Sequence, residues 1–244
     1  MAIMYKTINF NVRERDVNLK DEIRPATVLD YFQDTAGIHA GELGVGYEPM
    51  VEKKLFWVIL YVTFEAVGRI PTFGEVIKVN TWPKVQSKIE FEREYEIRNK
   101  EDKLLIKGIS NWCVISSETR RLERADKVSF NGEYYDKTNY NEKCKRRLNL
   151  CPKDIIAEYN YKVHMTDLDH NLHLNNARYL DVIYNMFPEN GKKSFKRCEI
   201  AYISEARLND IINVKYFKDE NNNDCYQGYV NDQLSFEAII ELGD

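Results

Sequence analysis

The sequence YKVHMTDLDHNLHLNNARYLDVIY, residues 161–184, holds three of the chain's four histidines and then changes to helical periodicity. If its first half is extended, alternate side chains point to opposite faces. Asp169, Asn171 and His173 then share one face, and His170 points away from it. The sequence therefore predicts an acid, an amide and an imidazole side by side.

A helix is predicted directly after these polar residues. Asn175 and Asn176 are good N-caps, apolar residues recur at helical spacing from Ala177 to Phe187, and Pro188 ends the run. Unpaired backbone N–H groups at a helix start can stabilise negative charge. We therefore expect the helix start at Asn175 and Asn176 to act as an oxyanion site.

Working outward from this stretch, the same order of elements is predicted twice. The first half reads as strands and one long helix in this order: strand 5–12, a short strand 17–24, helix 25–43, and strands 56–67, 75–82, 88–98 and 103–116. Residues 118–156 lack periodicity and are predicted to connect the halves. The second half reads as strand 159–165, helix 176–187, and strands 195–204, 211–217, 225–230 and 234–242. This order predicts an α+β fold in which each half packs a helix on an antiparallel sheet.

Two motifs resemble one known family. DLDHNLHLNNARY is similar to D-x-N-x-H-x-N-N-x-x-Y, the signature of the acyl-acyl carrier protein (acyl-ACP) thioesterases of the bacterial type, and EIAYISEARLND at 199–210 resembles their second motif. The resemblance implies that Asp169, Asn171, His173 and Glu205 are the catalytic residues. Some members carry a cysteine after the acid, where this chain has Ala206, so a carboxylate that activates water is favoured over a cysteine nucleophile.

The family resemblance also implies a fold and a reaction. The fold would be a double hot-dog, two tandem units each with a long helix packed on an antiparallel β-sheet, paired into one sheet. The N-terminal unit, residues 1–135, would supply the acyl pocket, 136–157 would be a linker, and 158–244 would carry the catalytic residues. The enzyme would be a thiolester hydrolase that releases free fatty acid from fatty acyl-ACP in fatty acid biosynthesis, without a metal or organic cofactor.

Thioester hydrolysis needs an activated water and a stabilised oxyanion, because a thiolate already leaves readily. Glu205 ranks first as the water-activating carboxylate and Asp169 second. Asn171 could orient the water or the carbonyl, and His173 could bond the reacting centre or the base.

Several alternatives stay open at this stage. Asp169 and Asn171 could belong to a capped polar turn before the helix. A metal site is another candidate, but His170 and His173 face opposite sides of an extended segment. An acyl-CoA thioesterase, a hot-dog enoyl hydratase and a non-catalytic acyl-binding protein are the rival functions. The hydratase motif has one more residue before its histidine and usually a proline, which DHNLH lacks.

Composition limits the partners and the compartment. The net charge is −4, with 35 basic and 39 acidic residues, which does not indicate binding to nucleic acid or a membrane. The five cysteines show no paired spacing, and no signal peptide is recognised, so a cytoplasmic protein is expected. The basic residues at 120–124 and 143–147 would suit an acidic carrier protein, although a solvated linker explains such a run more often. A duplicated chain can supply its own pseudo-dimer, and a homodimer stays open.

Overall fold

The computed structural model describes residues 3–141 and 143–243, and in these it has ten strands and three α-helices. The first half comprises β1 (Lys6–Asn11), α1 (Pro25–Glu42), α2 (Tyr47–Glu52), β2 (Leu55–Ala66), β3 (Val76–Pro83), β4 (Phe91–Arg98) and β5 (Leu104–Ser116). The second half comprises β6 (Ala157–Lys162), α3 (Asn176–Tyr184), β7 (Ser194–Tyr202), β8 (Ile211–Lys218), β9 (Asp224–Val230) and β10 (Gln233–Gly243).

Most predicted elements are confirmed, with ends that differ by a few residues. The strand predicted at 17–24 is wrong: that segment is a turn in which Val17 and Ile23 form an isolated bridge. The short helix α2 was not predicted, and α3 ends at Tyr184 rather than at 187. The predicted connecting region, 118–156, has no strand among its described residues.

All ten strands form one antiparallel sheet in the order β1-β3-β4-β5-β2-β7-β10-β9-β8-β6. The two halves meet where β2 pairs with β7 through residues such as Val62 and Ile200. The expected pairing of both halves into one sheet is therefore confirmed.

Both long helices pack on the same face of this sheet and share one apolar core. The ring of Phe32 on α1 stacks on Tyr95, with centroids 4.3 Å apart, and meets Phe64 edge-on. Gly108 makes this contact possible, because a Cβ there would lie 2.5 Å from a ring carbon of Phe32. The core thus fixes the position of α1 over the centre of the sheet.

The opposite face of the sheet is covered by a segment of the connecting region, residues 137–141 and 143–150, which we call the strap. Buried glutamates of the sheet bind it. Glu94 accepts hydrogen bonds from the Asn139 N–H and the Thr138 hydroxyl, at 2.6 and 2.8 Å. Glu237 accepts the backbone N–H groups of three consecutive residues, Leu148, Asn149 and Leu150, at 3.1, 3.1 and 2.9 Å.

The duplication predicted from element order is also seen in the backbone hydrogen bonds that frame the entry to each long helix. Three bonds of the first half have a counterpart in the second. The Val12 N–H donates to the Glu75 carbonyl, as the Val163 N–H does to the Asp210 carbonyl. The Gly74 N–H donates to the Val12 carbonyl, as the Asn209 N–H does to that of Val163, and the Ile23 N–H donates to the Pro71 carbonyl, as the Leu174 N–H does to that of Ala206. These bonds allow each position of one loop to be equated with a position of the other.

Candidate active site

The segment 169–173 forms a tight turn and is not extended. The Asp169 carboxylate accepts the backbone N–H groups of Asn171 and His173, at 2.8 and 3.2 Å, and the Asp169 N–H donates to the His173 carbonyl at 2.8 Å. Leu172 has a φ of 63° at the bend. The predicted alternation of faces is therefore wrong, because the Asp169 side chain binds its own backbone and bends the chain.

The same turn occurs in the first half, where Asn18 takes the place of Asp169. Its side-chain oxygen accepts the N–H groups of Lys20 and Glu22, at 2.8 and 3.1 Å, and Asp21 has a φ of 60°. An amide oxygen thus performs the same local task as a carboxylate. The geometry at Asp169 is accounted for by the turn alone.

The turn brings His173 to Glu205, which comes from the loop after β7. The Leu174 N–H donates to the Ala206 carbonyl at 2.8 Å, and this bond joins the two loops. His173 Nε2 lies 3.0 Å from Glu205 Oε2. With its proton on Nε2, the imidazole donates to the carboxylate and keeps Nδ1 as an acceptor. Two groups that are distant in sequence therefore form one hydrogen-bonded pair.

The guanidinium of Arg120 reaches the same carboxylate from the first half. Its Nη2 donates to both oxygens of Glu205, at 3.2 and 3.0 Å, and its guanidinium carbon lies 5.0 Å from the ring centre of Phe56. Sequence reasoning placed Arg120 only in a basic segment. It lies 85 residues from Glu205, and no spacing rule links the two.

Among its described residues, the first half has no equivalent of this pair. In the equated positions, Glu22 corresponds to His173 and Ile70 to Glu205. Glu22 is bound to the Ser194 hydroxyl, at 2.6 Å. The duplicated fold therefore presents the histidine and carboxylate pair once.

At the start of α3, most polar groups already have partners. The Asn175 side chain accepts the Ala177 N–H at 2.9 Å, and the Asn175 N–H donates to the Asp167 carbonyl at 2.9 Å. The Asn176 side chain donates to Gln33 at 2.9 Å. Among the described residues the backbone N–H of Asn176 has no acceptor, so it is the donor of this helix start that is free to bind an oxyanion.

A cavity of about 780 Å³ runs from this pair into the first half, and it is of ordinary size for a small-molecule site. Its walls include residues of both halves, among them Trp57, Trp112, Asn171, Asn176, Tyr179 and Glu205. His170 was expected to face away from the site, and this is wrong. It also lines the cavity, with its ring edge-on to Tyr47 at 4.9 Å.

The two histidines of the motif do not converge on one point, since His170 contacts Tyr47 and His173 binds Glu205. The Asp169 carboxylate is engaged by backbone N–H groups. In the described ranges, no three His, Cys, Asp or Glu side chains are grouped as metal ligands.

Much of the basic run at 143–147 is paired within the chain. Lys143 and Arg146 bind Glu90, and Lys145 binds Glu199 at 3.0 Å. These contacts fasten the strap to the sheet.

Two family models match the chain. The acyl-ACP thioesterase N-terminal domain matches residues 4–129, and the acyl-ACP thioesterase C-terminal domain matches residues 152–241. The chain belongs to the acyl-ACP thioesterase family. Its double hot-dog fold is that of the family, although the unit boundaries 1–135, 136–157 and 158–244 stay a prediction.

Individual relatives of this acyl-ACP thioesterase family member come from plants and bacteria. Palmitoyl-acyl carrier protein thioesterases of Gossypium hirsutum and Arabidopsis thaliana are 29% and 28% identical over 74% of this chain and 46% of their own length. The chain thus spans about half the length of these curated relatives. The crystal structure of an acyl-ACP thioesterase from Bacteroides thetaiotaomicron is similar with a TM-score of 0.85 at 19% identity, covering 98% of both chains. A 12:0-ACP thioesterase from Umbellularia californica gives 0.84 at 19% identity, over 98% of this chain and 97% of its own.

The five cysteines are free thiols. Within residues 3–141 and 143–243, every helix is too short or too polar to cross a lipid bilayer.

Proposed function

We propose that this protein hydrolyses fatty acyl-ACP to free fatty acid and carrier thiol in fatty acid biosynthesis. The observation that carries the proposal is the His173–Glu205 pair, 3.0 Å apart, at one end of a cavity of about 780 Å³ in a chain of this family. The cavity would hold the acyl chain, and the pair would act at the thioester. We also propose that it works in the cytoplasm and forms a homodimer.

Glu205 is the proposed base that activates water. Its side chain is about one-third exposed, so water can reach it, and His173 and Arg120 fix the orientation of its carboxylate. The Asn171 amide orients the water or the carbonyl, and the Asn176 N–H binds the developing oxyanion. Asp169 acts through the turn that positions Asn171 and His173.

The test compares Glu205→Gln with Asp169→Asn in a thiol-release assay on acyl-ACP. We expect Glu205→Gln to lower kcat by about 10²- to 10⁴-fold, because the amide cannot take a proton from water. Asp169→Asn should keep most of the activity, since Asn18 forms the same turn with an amide oxygen.

Near-normal turnover by Glu205→Gln would refute the base assignment, and a comparable loss in Asp169→Asn would transfer that role to Asp169. Acyl-CoA and crotonyl thioesters, assayed alongside, separate acyl-CoA hydrolysis and enoyl hydration from the proposed reaction. Binding of acyl-ACP without thiol release would indicate the acyl-binding alternative.

A further inference from the structure

A buried arginine lines the part of the cavity that lies away from Glu205. Arg93 is on β4, is 8% exposed and contributes to the cavity wall. Strands β5 and β2 separate β4 from β7, after which Glu205 follows. Three strand spacings of about 4.8 Å place Arg93 about 14 Å across the sheet from β7. A bound acyl chain would have to extend into the first half to reach it.

Arg93 has few partners for a buried cation. Its Nη1 donates to Nδ1 of His39 at 3.0 Å and to the Thr81 hydroxyl at 3.3 Å. Burial, and then the charge of Arg93, lower the pKa of His39 to about 4, so this imidazole is neutral at physiological pH. Neither partner supplies a negative charge.

The nearby carboxylates of the same strand do not compensate this charge. Glu92, Glu94 and Glu96 alternate with Arg93 along the strand and project to the opposite face of the sheet, where residues of the strap bind them. Within the described part of the chain, no carboxylate lies within ion-pair distance of Arg93, and its Nε and Nη2 groups have no hydrogen-bond acceptor. A guanidinium with unused donors therefore lies in the wall of a cavity whose surface is more apolar than polar.

Such an arrangement has a clear preference among ligands. A buried donor without an acceptor is costly, and a buried charge without a partner is more so. A methyl-ended chain that reached Arg93 would exclude water from its unused N–H groups without supplying an acceptor. An oxygen at that point would accept hydrogen bonds from these groups.

We propose that the distal part of the acyl chain carries an oxygen, as a hydroxyl or a carboxylate, that accepts hydrogen bonds from Arg93. This inference rests on the proposed function, because it assigns the class of acyl chain that occupies the cavity. Arg93 would be a specificity-determining residue that does not take part in the hydrolysis itself.

The experiment uses ACP thioesters in matched sets of equal chain length that end in a methyl, a hydroxyl or a carboxylate. At the length that reaches Arg93, we expect kcat/KM for an oxygen-ended chain to exceed that of the methyl-ended chain by about tenfold or more. The oxygen group with the higher kcat/KM, hydroxyl or carboxylate, identifies which of the two the natural acyl chain carries. In Arg93→Met the preference should disappear, and in Arg98→Met, on the same strand but the other face, it should persist.

A second measurement does not depend on the folding of a variant. Binding of the same chains, attached to ACP through a non-hydrolysable thioether, to the wild-type protein can be followed by tryptophan fluorescence, because Trp57 and Trp112 line the cavity. Tighter binding of the oxygen-ended chains is expected. Equal or weaker binding and turnover of these chains at every length, or a preference that Arg93→Met retains, would overturn the inference. If no carrier thioester releases thiol, the proposed function fails separately, and the thioether series still tests the role of Arg93.

Discussion

At the scale of single residues, the proposed site depends on how one carboxylate is held. Glu205 receives hydrogen bonds from His173 of its own half and from Arg120 of the other. Ala206, next to it, is fully buried, and its N–H donates to the Tyr179 hydroxyl at 3.1 Å. Burial raises the pKa of Tyr179 to about 12, so this phenol stays neutral and fixes the backbone beside Glu205. The orientation of Glu205 is thus set from three directions.

Arg120→Met should lower kcat about tenfold, because hydrogen bonds to a charged group contribute about 1.5–3 kcal/mol. KM for a short-chain thioester should change little, since Arg120 holds Glu205 and not the acyl chain. Arg120→Lys should restore part of the activity by supplying a single donor.

The measurement is steady-state kinetics of the wild type, Arg120→Met and Arg120→Lys, with Arg15→Met as the control for loss of an exposed arginine. A rise in KM with unchanged kcat would show that Arg120 binds substrate and does not position the base.

At the scale of elements, the strap has no regular secondary structure and is nevertheless fixed. Its backbone N–H groups and basic side chains bind carboxylates that point outward from the sheet, chiefly Glu90, Glu94 and Glu237. Glu237 also accepts a hydrogen bond from the Gln227 side chain at 3.1 Å. The sequence pattern would place these glutamates on the surface, but the strap covers them and they are buried.

Glu237→Ala should destabilise the protein by about 1–3 kcal/mol, because it leaves buried N–H groups of the strap without an acceptor. For a chain of this size, that corresponds to a fall in Tm of roughly 2–12 °C. The Tm of Glu237→Gln should lie between those of the wild type and Glu237→Ala, since glutamine retains one acceptor oxygen.

Thermal unfolding followed by circular dichroism measures this effect. Glu241→Ala, an exposed change on the same strand, is the matched control and should leave Tm nearly unchanged. An equally small effect of Glu237→Ala would mean that the strap contributes little to stability.

At the scale of the whole molecule, the two halves share one sheet and one core. Strand β2 pairs with β5 on one side and with β7 on the other, and the apolar core cluster contains residues of both halves. We therefore expect both halves to unfold in one cooperative transition.

Phe236→Ala tests this cooperativity, because Phe236 is fully buried in the second half and all three tryptophans lie in the first. The substitution should cost about 3–5 kcal/mol. Denaturant unfolding followed by tryptophan fluorescence should shift as far as unfolding followed by far-UV circular dichroism. Ile211→Ala, an exposed change in the same half, should shift neither signal. A tryptophan signal that stays at its wild-type midpoint in Phe236→Ala would show that the halves unfold separately.

The sequence by itself determined the order of elements and the identity of the motif residues. Periodicity and Pro25 were enough for α1, and two short motifs were enough to pick out His173 and Glu205 as neighbours. These features are local, so they can be read from adjacent residues.

Only the tertiary structure decided the turn at Asp169, the contact of Arg120 with Glu205 and the burial of Arg93 against the cavity. The turn depends on a side chain that binds its own backbone, which competes with the extended conformation that the alternating pattern favours. The two arginines depend on strand pairing between residues far apart in the chain, and side-chain periodicity carries no information about which strands become neighbours.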